Sequence, residues 1–318
     1  MSERKTIAIT SSDDLAALYG TYNELVAGGR ELTLELEVAP GEYGVASIGP
    51  IQLDLGGNPP PNDPQIDVVI RGAPGVVFRD LGIQVRARSL RLEQLVLTGR
   101  RQGLLDARVA HSFAMHGCVV AANSWDPSWP GALLRVGGLV DQPAFTVELD
   151  DCWFAGNSEQ AEAALLEVTP ATGSFVERVG LRGVRFVGNA TRSDLVVHET
   201  RELRARDLFV VKDARNTTFL RYDRCETVAI DHSTFVLGQT GALLAEDTRT
   251  WFSGLELSDS TVHAGGVVRK LPTSVRGNSQ VRDGVDLAAR AGQLRDLIDA
   301  VTRGARPDVA ALRDALAL

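Results

Sequence analysis

The sequence predicts an all-β solenoid, a parallel β-helix with helices at its two ends, and two repeating patterns support this prediction. The first pattern reads apolar-x-apolar-x-x-small-x-apolar, and a Gly, Asn or Asp often follows it. The starts of its copies lie 23 to 34 residues apart, a period that is typical of solenoids. The copies start at Leu90, Phe113, Val147, Val179, Leu203, Val228 and Leu255.

The second pattern is a pair of adjacent apolar residues inside each repeat. Each pair follows the start of its repeat by 12 to 20 residues. The pairs are residues 104–105, 133–134, 165–166, 196–197, 219–220, 243–244 and 267–268. Because the two patterns keep step, we interpret each repeat as one turn of the solenoid, whose inward residues pack on the neighbouring turns.

Each repeat has the pattern of about three short strands. Val147 and Leu149 share one face of a strand, because side chains alternate along it, and Cys152 and Phe154 follow after a bend. Residues 156–157, Gly and Asn, supply a turn, since both residue types tolerate positive φ. We expect a buried core of Val147, Leu149, Phe154, Val179, Leu181, Phe186, Val228, Ile230, Phe235, Leu255 and Leu257.

A capping helix is predicted over about residues 11–28. Residues 11–14 have the Ser and Asp pattern of a capping box, and apolar residues recur at helical spacing until residues 28–29, both Gly. A strand with Leu32, Leu34, Leu36 and Val38 on one face follows. Such a helix would cover the strand edges that a solenoid otherwise exposes at its end.

Two amphipathic helices are predicted in residues 284–318, which leaves residues 1–283 for the solenoid and its N-terminal cap. Gly304 ends the first helix and Pro307 begins the second. Their apolar stripes either cover the solenoid or dock on a second copy or a partner protein. The candidate interface residues are Leu287, Leu294, Ile298, Leu312 and Leu316.

Composition bounds the partners and the compartment. The formal net charge of −8 disfavours nucleic acid, because phosphate binding needs clustered cations, and no apolar run is long enough to span a bilayer. Three cysteines fit a reducing compartment, where Cys118 and Cys152 are expected to stack inward as small apolar residues. The first residues do not read as a signal peptide, so we expect a cytoplasmic protein.

Several segments resemble the pectate-lyase-like superfamily of right-handed parallel β-helices. They are the capping helix, residues 40–43 (Pro-Gly-Glu-Tyr), residues 69–72 (Val-Ile-Arg-Gly) and the seven repeats. The resemblance covers about residues 10–275 and implies a right-handed solenoid. Members of the superfamily include polysaccharide lyases, glycoside hydrolases, phage tailspikes, adhesins and non-catalytic scaffolds, so the resemblance predicts the fold and not the function.

The catalytic motifs of the superfamily are only partly matched. Residues 228–232 (Val-Ala-Ile-Asp-His) resemble the Val-Trp-Ile-Asp-His segment of pectate lyases, with Ala229 in place of Trp. Residues 270–276 resemble the Arg-x-Pro-x-x-Arg segment that carries their catalytic arginine, but Lys270 replaces the first Arg and Arg276 comes one residue late. A slip of one residue reverses the direction of a side chain in a strand. We predict no catalytic residue, no bound metal and no cofactor.

Outward charges are expected to pair between neighbouring turns and to fix their register. Asp150 should meet Arg182, and Arg206 should meet Asp231. A second column is predicted to contain Asp106, Arg135, Glu167, His198 and Arg221. A binding cleft for carbohydrate would instead present unpaired charges of one sign.

Three tryptophans are candidate binding residues: Trp125, Trp129 and Trp153. The first two lie in an insertion rich in Pro, and Trp153 is expected to point outward from the adjacent turn. Together they would form either an aromatic patch for a protein or sugar partner, or a loop folded back onto the solenoid wall.

The leading functional hypothesis is therefore a non-catalytic scaffold or interaction protein of a bacterial-type cytoplasm. It would bind a protein partner or a second copy through the C-terminal helices or the tryptophan loop. The first alternative is a polysaccharide lyase of the pectate-lyase type. The second is a carbohydrate-binding protein that resembles a tailspike or an adhesin.

Overall fold

A computed structural model describes most of the chain. The described residues are 3–46, 49–50, 52–57, 63–125, 131–142, 144–159, 164–212, 217–238, 242–244, 255–264, 274–276 and 278–318. The pair 267–268 of the second repeat pattern lies outside them, as does Lys270.

Short strands dominate the described residues, and helices occur at the two ends. The helices are α1 (Ser12–Ala27), α2 (Ala291–Thr302) and α3 (Val309–Leu316). The strands are β1 (Glu3–Ile9), β2 (Leu32–Val38), β3 (Gly41–Tyr43), β4 (Val45–Ala46), β5 (Gly49–Pro50), β6 (Gln52–Leu55), β7 (Ile66–Gly72), β8 (Val76–Arg79), β9 (Gly82–Glu93), β10 (Val96–Thr98), β11 (Leu105–His116), β12 (Val119–Ala121), β13 (Ser124–Trp125), β14 (Leu134–Gly138), β15 (Ala144–Asp150), β16 (Trp153–Ala155), β17 (Ser158–Glu159), β18 (Ala164–Thr169), β19 (Phe175–Arg182), β20 (Arg185–Val187), β21 (Ser193–His198), β22 (Thr200–Arg206), β23 (Phe209–Lys212), β24 (Thr218–Asp223), β25 (Thr227–Asp231), β26 (Thr234–Leu237), β27 (Ala242–Leu244), β28 (Leu255–Ser258), β29 (Thr261–Ala264), β30 (Ser274–Arg276) and β31 (Gln280–Asp283).

These strands stack as the three walls of a parallel β-helix, as predicted. Wall 1 contains β6, the first half of β9, the first half of β11, β14, β18, β21, β24 and β27. Wall 2 contains β1, β2, β7, the second halves of β9 and β11, β15, β19, β22, β25, β28 and β30. Wall 3 contains β3, β8, β10, β12, β16, β20, β23, β26, β29 and β31. Within each wall, every pair of neighbouring strands is parallel.

The predicted core is confirmed. All eleven expected core residues are at most 3% exposed, and residues at equal repeat positions are direct partners, as Val147 is of Val179. The rings of Phe154 and Phe186 stack with their centroids 4.8 Å apart and their planes 9° apart. The two residues therefore lie on one face, in neighbouring turns, as the repeat alignment requires.

One residue makes the bend between walls 2 and 3 in each of several successive turns. At this position the chain adopts positive φ, which Asp and Asn tolerate better than most residues. The residues are Gln94, Gly117, Asp151, Gly183, Asp207, His232 and Asp259. The polar or Gly character that the sequence shows at the bend follows from this backbone requirement.

A buried ladder of asparagines follows wall 3, where the sequence indicated only a turn. Asn123, Asn157 and Asn189 are at most 1% exposed. The Asn123 side-chain amide donates to Asn157 Oδ1, and that of Asn157 donates to Asn189 Oδ1, both at 2.9 Å. Each amide also donates to a backbone carbonyl of the preceding turn, so the ladder ties successive turns together.

The N-terminal cap agrees with its prediction. Ser11 is the N-cap of α1, and the reciprocal hydrogen bonds of a capping box join it to Asp14. Leu15, Leu18 and Tyr22 are buried against the core. The hydroxyl of Tyr22 donates to the backbone carbonyl of Arg86 at 2.6 Å.

The C-terminal helices lie on the outer face of wall 3. Leu287, Leu294, Leu312 and Leu316 are 1–8% exposed and pack with residues of β12, β16 and neighbouring strands. A Cβ at Gly156 would lie 2.5 Å from Cγ2 of Ile298, so that residue approaches the backbone of wall 3 closely. The chain itself therefore covers the apolar stripe of these residues, which is one of the two outcomes expected from the sequence, and their role in an interface stays a prediction. Helix α2 runs along the side of the solenoid, on β12 and β16, and α3 packs against α2.

Removal of the helices should uncover an apolar wall. A version that ends at Asp283 leaves the outward residues of wall 3, Trp153 and Phe209 among them, without their cover. We expect this version to bind a hydrophobic dye, to show red-shifted tryptophan emission and to aggregate in light scattering. A folded monomer with unchanged emission from Trp153, assigned with Trp153→Phe, would contradict the packing.

Candidate functional site

Wall 2 presents an outer surface of paired charges. Examples with short nitrogen–oxygen distances are Arg71 with Glu93 at 2.6 Å and Arg178 with Glu148 at 2.7 Å. Arg201 also pairs with Glu177, at 3.1 Å. Each of these pairs joins neighbouring strands, so the charges serve the register of the turns.

The predicted pair of Asp150 and Arg182 is the clearest member of this surface. The Arg182 guanidinium donates two hydrogen bonds to the two carboxylate oxygens, at 2.8 and 2.6 Å. Nδ1 of His116 lies 3.2 Å from Oδ2 of Asp150. The hydrogen bond from Arg182, then its charge and that of His116, hold the pKa of Asp150 below its usual value against the effect of partial burial.

The predicted charge column on wall 1 is correct except at His198, whose place is taken by Val196. Arg135 follows Asp106 and pairs with Glu167 at 3.2 Å, as expected. The next residue in that column is Val196, and Arg221 follows it. His198 lies two residues further along β21, opposite Asp223, and its Nε2 is still 3.9 Å from Oε1 of Glu167. The prediction was displaced by two residues because residues 196–197 were taken as the apolar pair of this turn. The strand register assigns that position to residues 194–195.

The bend between walls 2 and 3 brings together one group of metal-ligating residues. Asp231, His232 and Asp259 each have a ligand atom within 4.8 Å of the others, the only such group among the described residues. His232 Nδ1 lies 2.7 Å from Asp231 Oδ1, and the hydroxyl of Ser258 donates to the same oxygen at 3.0 Å. Asp259 Oδ1 accepts from the backbone N–H of Asn278 at 3.3 Å.

The electrostatics of this bend favour an ionised Asp231. Partial burial opposes ionisation, but hydrogen bonds from His232 and Ser258, with the charges of His232 and Arg206, lower the pKa of Asp231 overall. An ionised, partly exposed carboxylate that is already bonded to an imidazole is a poor general acid. Two carboxylates and one imidazole could contact a divalent cation, yet all three residues are at the surface and two of them bond each other.

The two fragments that resemble lyase motifs meet at this bend. Arg276 is the strand partner of Ser258, which in turn is the partner of Asp231. The backbone register therefore places Arg276 in the same outward column as Asp231, two turns further on. The side chain of Arg276 lies outside the described part of the structure, as do residues 270–273.

Of the three tryptophan candidates, the structure describes the side chain of Trp153. Trp153 points outward from wall 3, as expected, but it is 5% exposed and packs under the C-terminal helices. It is therefore not available to a partner, which corrects its assignment as a binding residue. Trp125 ends β13, which pairs with β17 of the next turn. Its side chain and the whole of Trp129 lie outside the described residues.

The cysteines are buried thiols. Cys118, Cys152 and Cys225 are free, and each is fully buried. Cys118 and Cys152 occupy equal positions in neighbouring turns, since the residues that follow them, Val119 and Trp153, are strand partners. This is the inward stacking that the repeat alignment predicts.

Sequence reasoning missed a buried ion pair. Lys212 and Asp194 have fully buried side chains, and Nζ lies 2.9 Å from Oδ1. Asp194 occupies the core position that Leu165 and Phe219 fill in the adjacent turns. The signal in the sequence was Asp194, which interrupts the apolar pair of this turn. We instead took residues 196–197 as the pair, two residues too late.

No protein-family model matches the chain, and no curated protein sequence matches it. Among solved structures, the chain is similar to a pectate lyase from Bacillus sp. N165 in complex with trigalacturonate. The TM-score is 0.48 and the identity 11%, over 93% of this chain and 92% of that one. It is also similar to a mannuronic-acid-specific polysaccharide lyase of family 6 from human gut microbiota. There the TM-score is 0.27 and the identity 10%, over 88% of this chain and 83% of that one.

The described helices include none with both the length and the apolar character that a bilayer crossing requires.

The pairing of Asp150 gives a testable titration. In Arg182→Gln the strongest cause of the lowered pKa is gone, so the pKa of Asp150 should rise toward its ordinary value. A lowered folded pKa stabilises the protein above the unfolded pKa, and this contribution is lost as the pH falls through the folded pKa. The variant should therefore lose less stability on acidification than the wild type.

Carboxyl NMR over an acid titration measures this pKa directly. Arg178→Gln is the matched control, because it removes a guanidinium from the neighbouring Glu148 and leaves both hydrogen bonds to Asp150 in place. An Asp150 pKa that is unchanged by Arg182→Gln would show that the observed pair does not form in solution.

Proposed function

We propose that this protein is a non-catalytic β-helix interaction protein. The observation that carries the proposal is that the outer faces of walls 2 and 3 are occupied by contacts within the chain. The charges of wall 2 bond one another, and the helices of the same chain cover wall 3. In the described residues, neither wall presents a groove with several unpaired carboxylates beside an Arg or Lys, which a lyase of this fold would use.

The bend at Asp231 supports the same proposal. A lyase would need carboxylates free to hold calcium and a basic side chain free to abstract a proton. Here Asp231 is bonded to His232 and Ser258, and it faces the charge of Arg206. These contacts account for the polar residues of the bend without any substrate.

The loop edge between walls 3 and 1 is the surface that we propose for the partner. The insertion with Trp125 and Trp129 leaves wall 3 after the buried Asn123, and β13 pairs with β17 there. This pairing places β13, at the start of the insertion, beside the loop of the next turn. Aromatic residues on such an edge favour a protein partner, with a carbohydrate as the alternative. The cytoplasmic location expected from the sequence belongs to this proposal.

An assay for lyase activity tests the proposal. The purified wild type, incubated with polygalacturonate or alginate, should release no unsaturated oligosaccharides, with or without calcium. We expect the same absence of ultraviolet absorbance from Asp231→Asn and Arg276→Gln. Turnover by the wild type that either substitution abolishes, while Asp150→Asn as a matched surface control retains it, would overturn the proposal and establish the lyase alternative.

A further inference from the structure

The most unusual chemical group in the described structure is the buried pair of Lys212 and Asp194. Both side chains are 0% exposed, and Nζ lies 2.9 Å from Oδ1. Lys212 ends β23 and reaches back to β21 of the preceding turn, where Asp194 stands in a core column. Lysine and aspartate are almost never fully buried in proteins unless they are paired.

The hydrogen bonds of this pair are unequally distributed. Nζ donates to the carbonyls of Asn189 and Thr191, at 3.1 and 3.3 Å, and to Asp194 Oδ1. The same Oδ1 accepts from the Thr191 hydroxyl at 2.7 Å. The other carboxyl oxygen, Oδ2, is buried and bonds to no described residue. Among the described residues, Oδ1 thus accepts from both side-chain donors and Oδ2 accepts from none.

The basic partner of Asp194 is a lysine, and this residue type is rare in the chain. The chain has 33 Lys and Arg residues, and only three of them are lysines: Lys5, Lys212 and Lys270. Guanidinium groups form the ion pairs of the outer walls, and they stay charged in proteins. An amine differs, because it can give up its proton in a buried site and then act as a nucleophile.

We propose that Lys212 and Asp194 form an intramolecular isopeptide bond, in which Nζ is joined to Cγ and one water molecule is lost. A proton passes from the ammonium to the carboxylate, which gives a neutral amine and a neutral acid. The amine then attacks Cγ, while the Thr191 hydroxyl holds Oδ1. The second proton of the attacking nitrogen moves to Oδ2, and the proton that Oδ1 took from the ammonium follows it as the Cγ–Oδ2 bond breaks. Oδ2 leaves as water, and Oδ1 becomes the carbonyl oxygen of the amide. No oxidant, cofactor or other reactant is consumed.

The surroundings favour this reaction at each step. Burial raises the pKa of the Asp194 carboxyl, although the charge and hydrogen bonds of Lys212 act in the opposite direction, and the neutral acid is the reactive form. Thr191 polarises the oxygen that stays, and the oxygen that leaves is the one without a bond. The product is a neutral amide, so two buried charges and an unsatisfied oxygen disappear together.

The position of the bond would give it a clear role in the fold. The asparagine ladder ends at Asn189, whose carbonyl accepts from Lys212. A covalent link at this point would continue the connection between turns with a bond that denaturant does not break. This inference does not depend on the proposed function, because it concerns the solenoid itself.

Mass spectrometry of the intact, denatured protein tests the proposal. We expect the wild type to weigh one water molecule less than its sequence, and digestion to yield one branched peptide that contains Lys212 and Asp194. Amine labelling under denaturing conditions should modify two of the three lysines. Lys212→Arg and Asp194→Ala should have their full sequence masses, whereas the surface control Lys5→Arg should still lack one water.

The wild type alone decides the outcome if a variant does not fold. A full sequence mass, with all three lysines labelled in protein that was folded before denaturation, would overturn the proposal and leave a non-covalent ion pair. A mass deficit that maps to a residue other than Lys212 or Asp194 would overturn it equally.

Discussion

Inward side chains of a β-helix pack on the residues at the same position one turn above and one turn below, as well as on side chains of the other walls. The rest of this structure depends on that constraint. Phe154 stacks on Phe186, and Val147 lies directly against Val179, because the register of the parallel strands repeats from turn to turn. Solenoids owe their stability to such contacts between neighbours, so any residue that fixes the register supports the whole core. The asparagine ladder and the outer ion pairs both fix this register.

The same constraint explains why so much of the surface is already occupied. A polar residue that bonds its counterpart in the next turn fixes the register, but its charge is then no longer available to a substrate. Arg182 on Asp150 is an example, and His232 with Ser258 on Asp231 is another. Wall 3 differs from wall 2, because its outer face is apolar and is covered by α2 and α3. The loop edge beside β13 is the surface that we propose for a partner.

The sequence was sufficient for the fold because a solenoid repeats its signals. Seven copies of one pattern allowed the core columns and the pair of Asp150 and Arg182 to be predicted. Local chemistry was harder to predict. Asn157 reads as a turn residue, and only the stacked turns show that its amide is buried and bonded on both sides. Asp194 interrupts the apolar pattern. The core accommodates it because Lys212, 18 residues away, compensates its charge, and an apolar pattern in the sequence does not reveal such a partner. The wall on which α2 and α3 pack could not be predicted either, because it depends on residues that are distant in the sequence.

A double-mutant cycle on the phenylalanine column tests the stacking most directly. Phe154→Leu and Phe186→Leu, made singly and together, would be compared by the free energy of unfolding in urea. Stacked rings in neighbouring turns predict a coupling of about 1 kcal/mol. Phe154 and Phe235 serve as the control pair, because they share the column but lie three turns apart, and their coupling should be close to zero. Equal coupling for the two pairs, or none for Phe154 with Phe186, would contradict the register on which this structure depends.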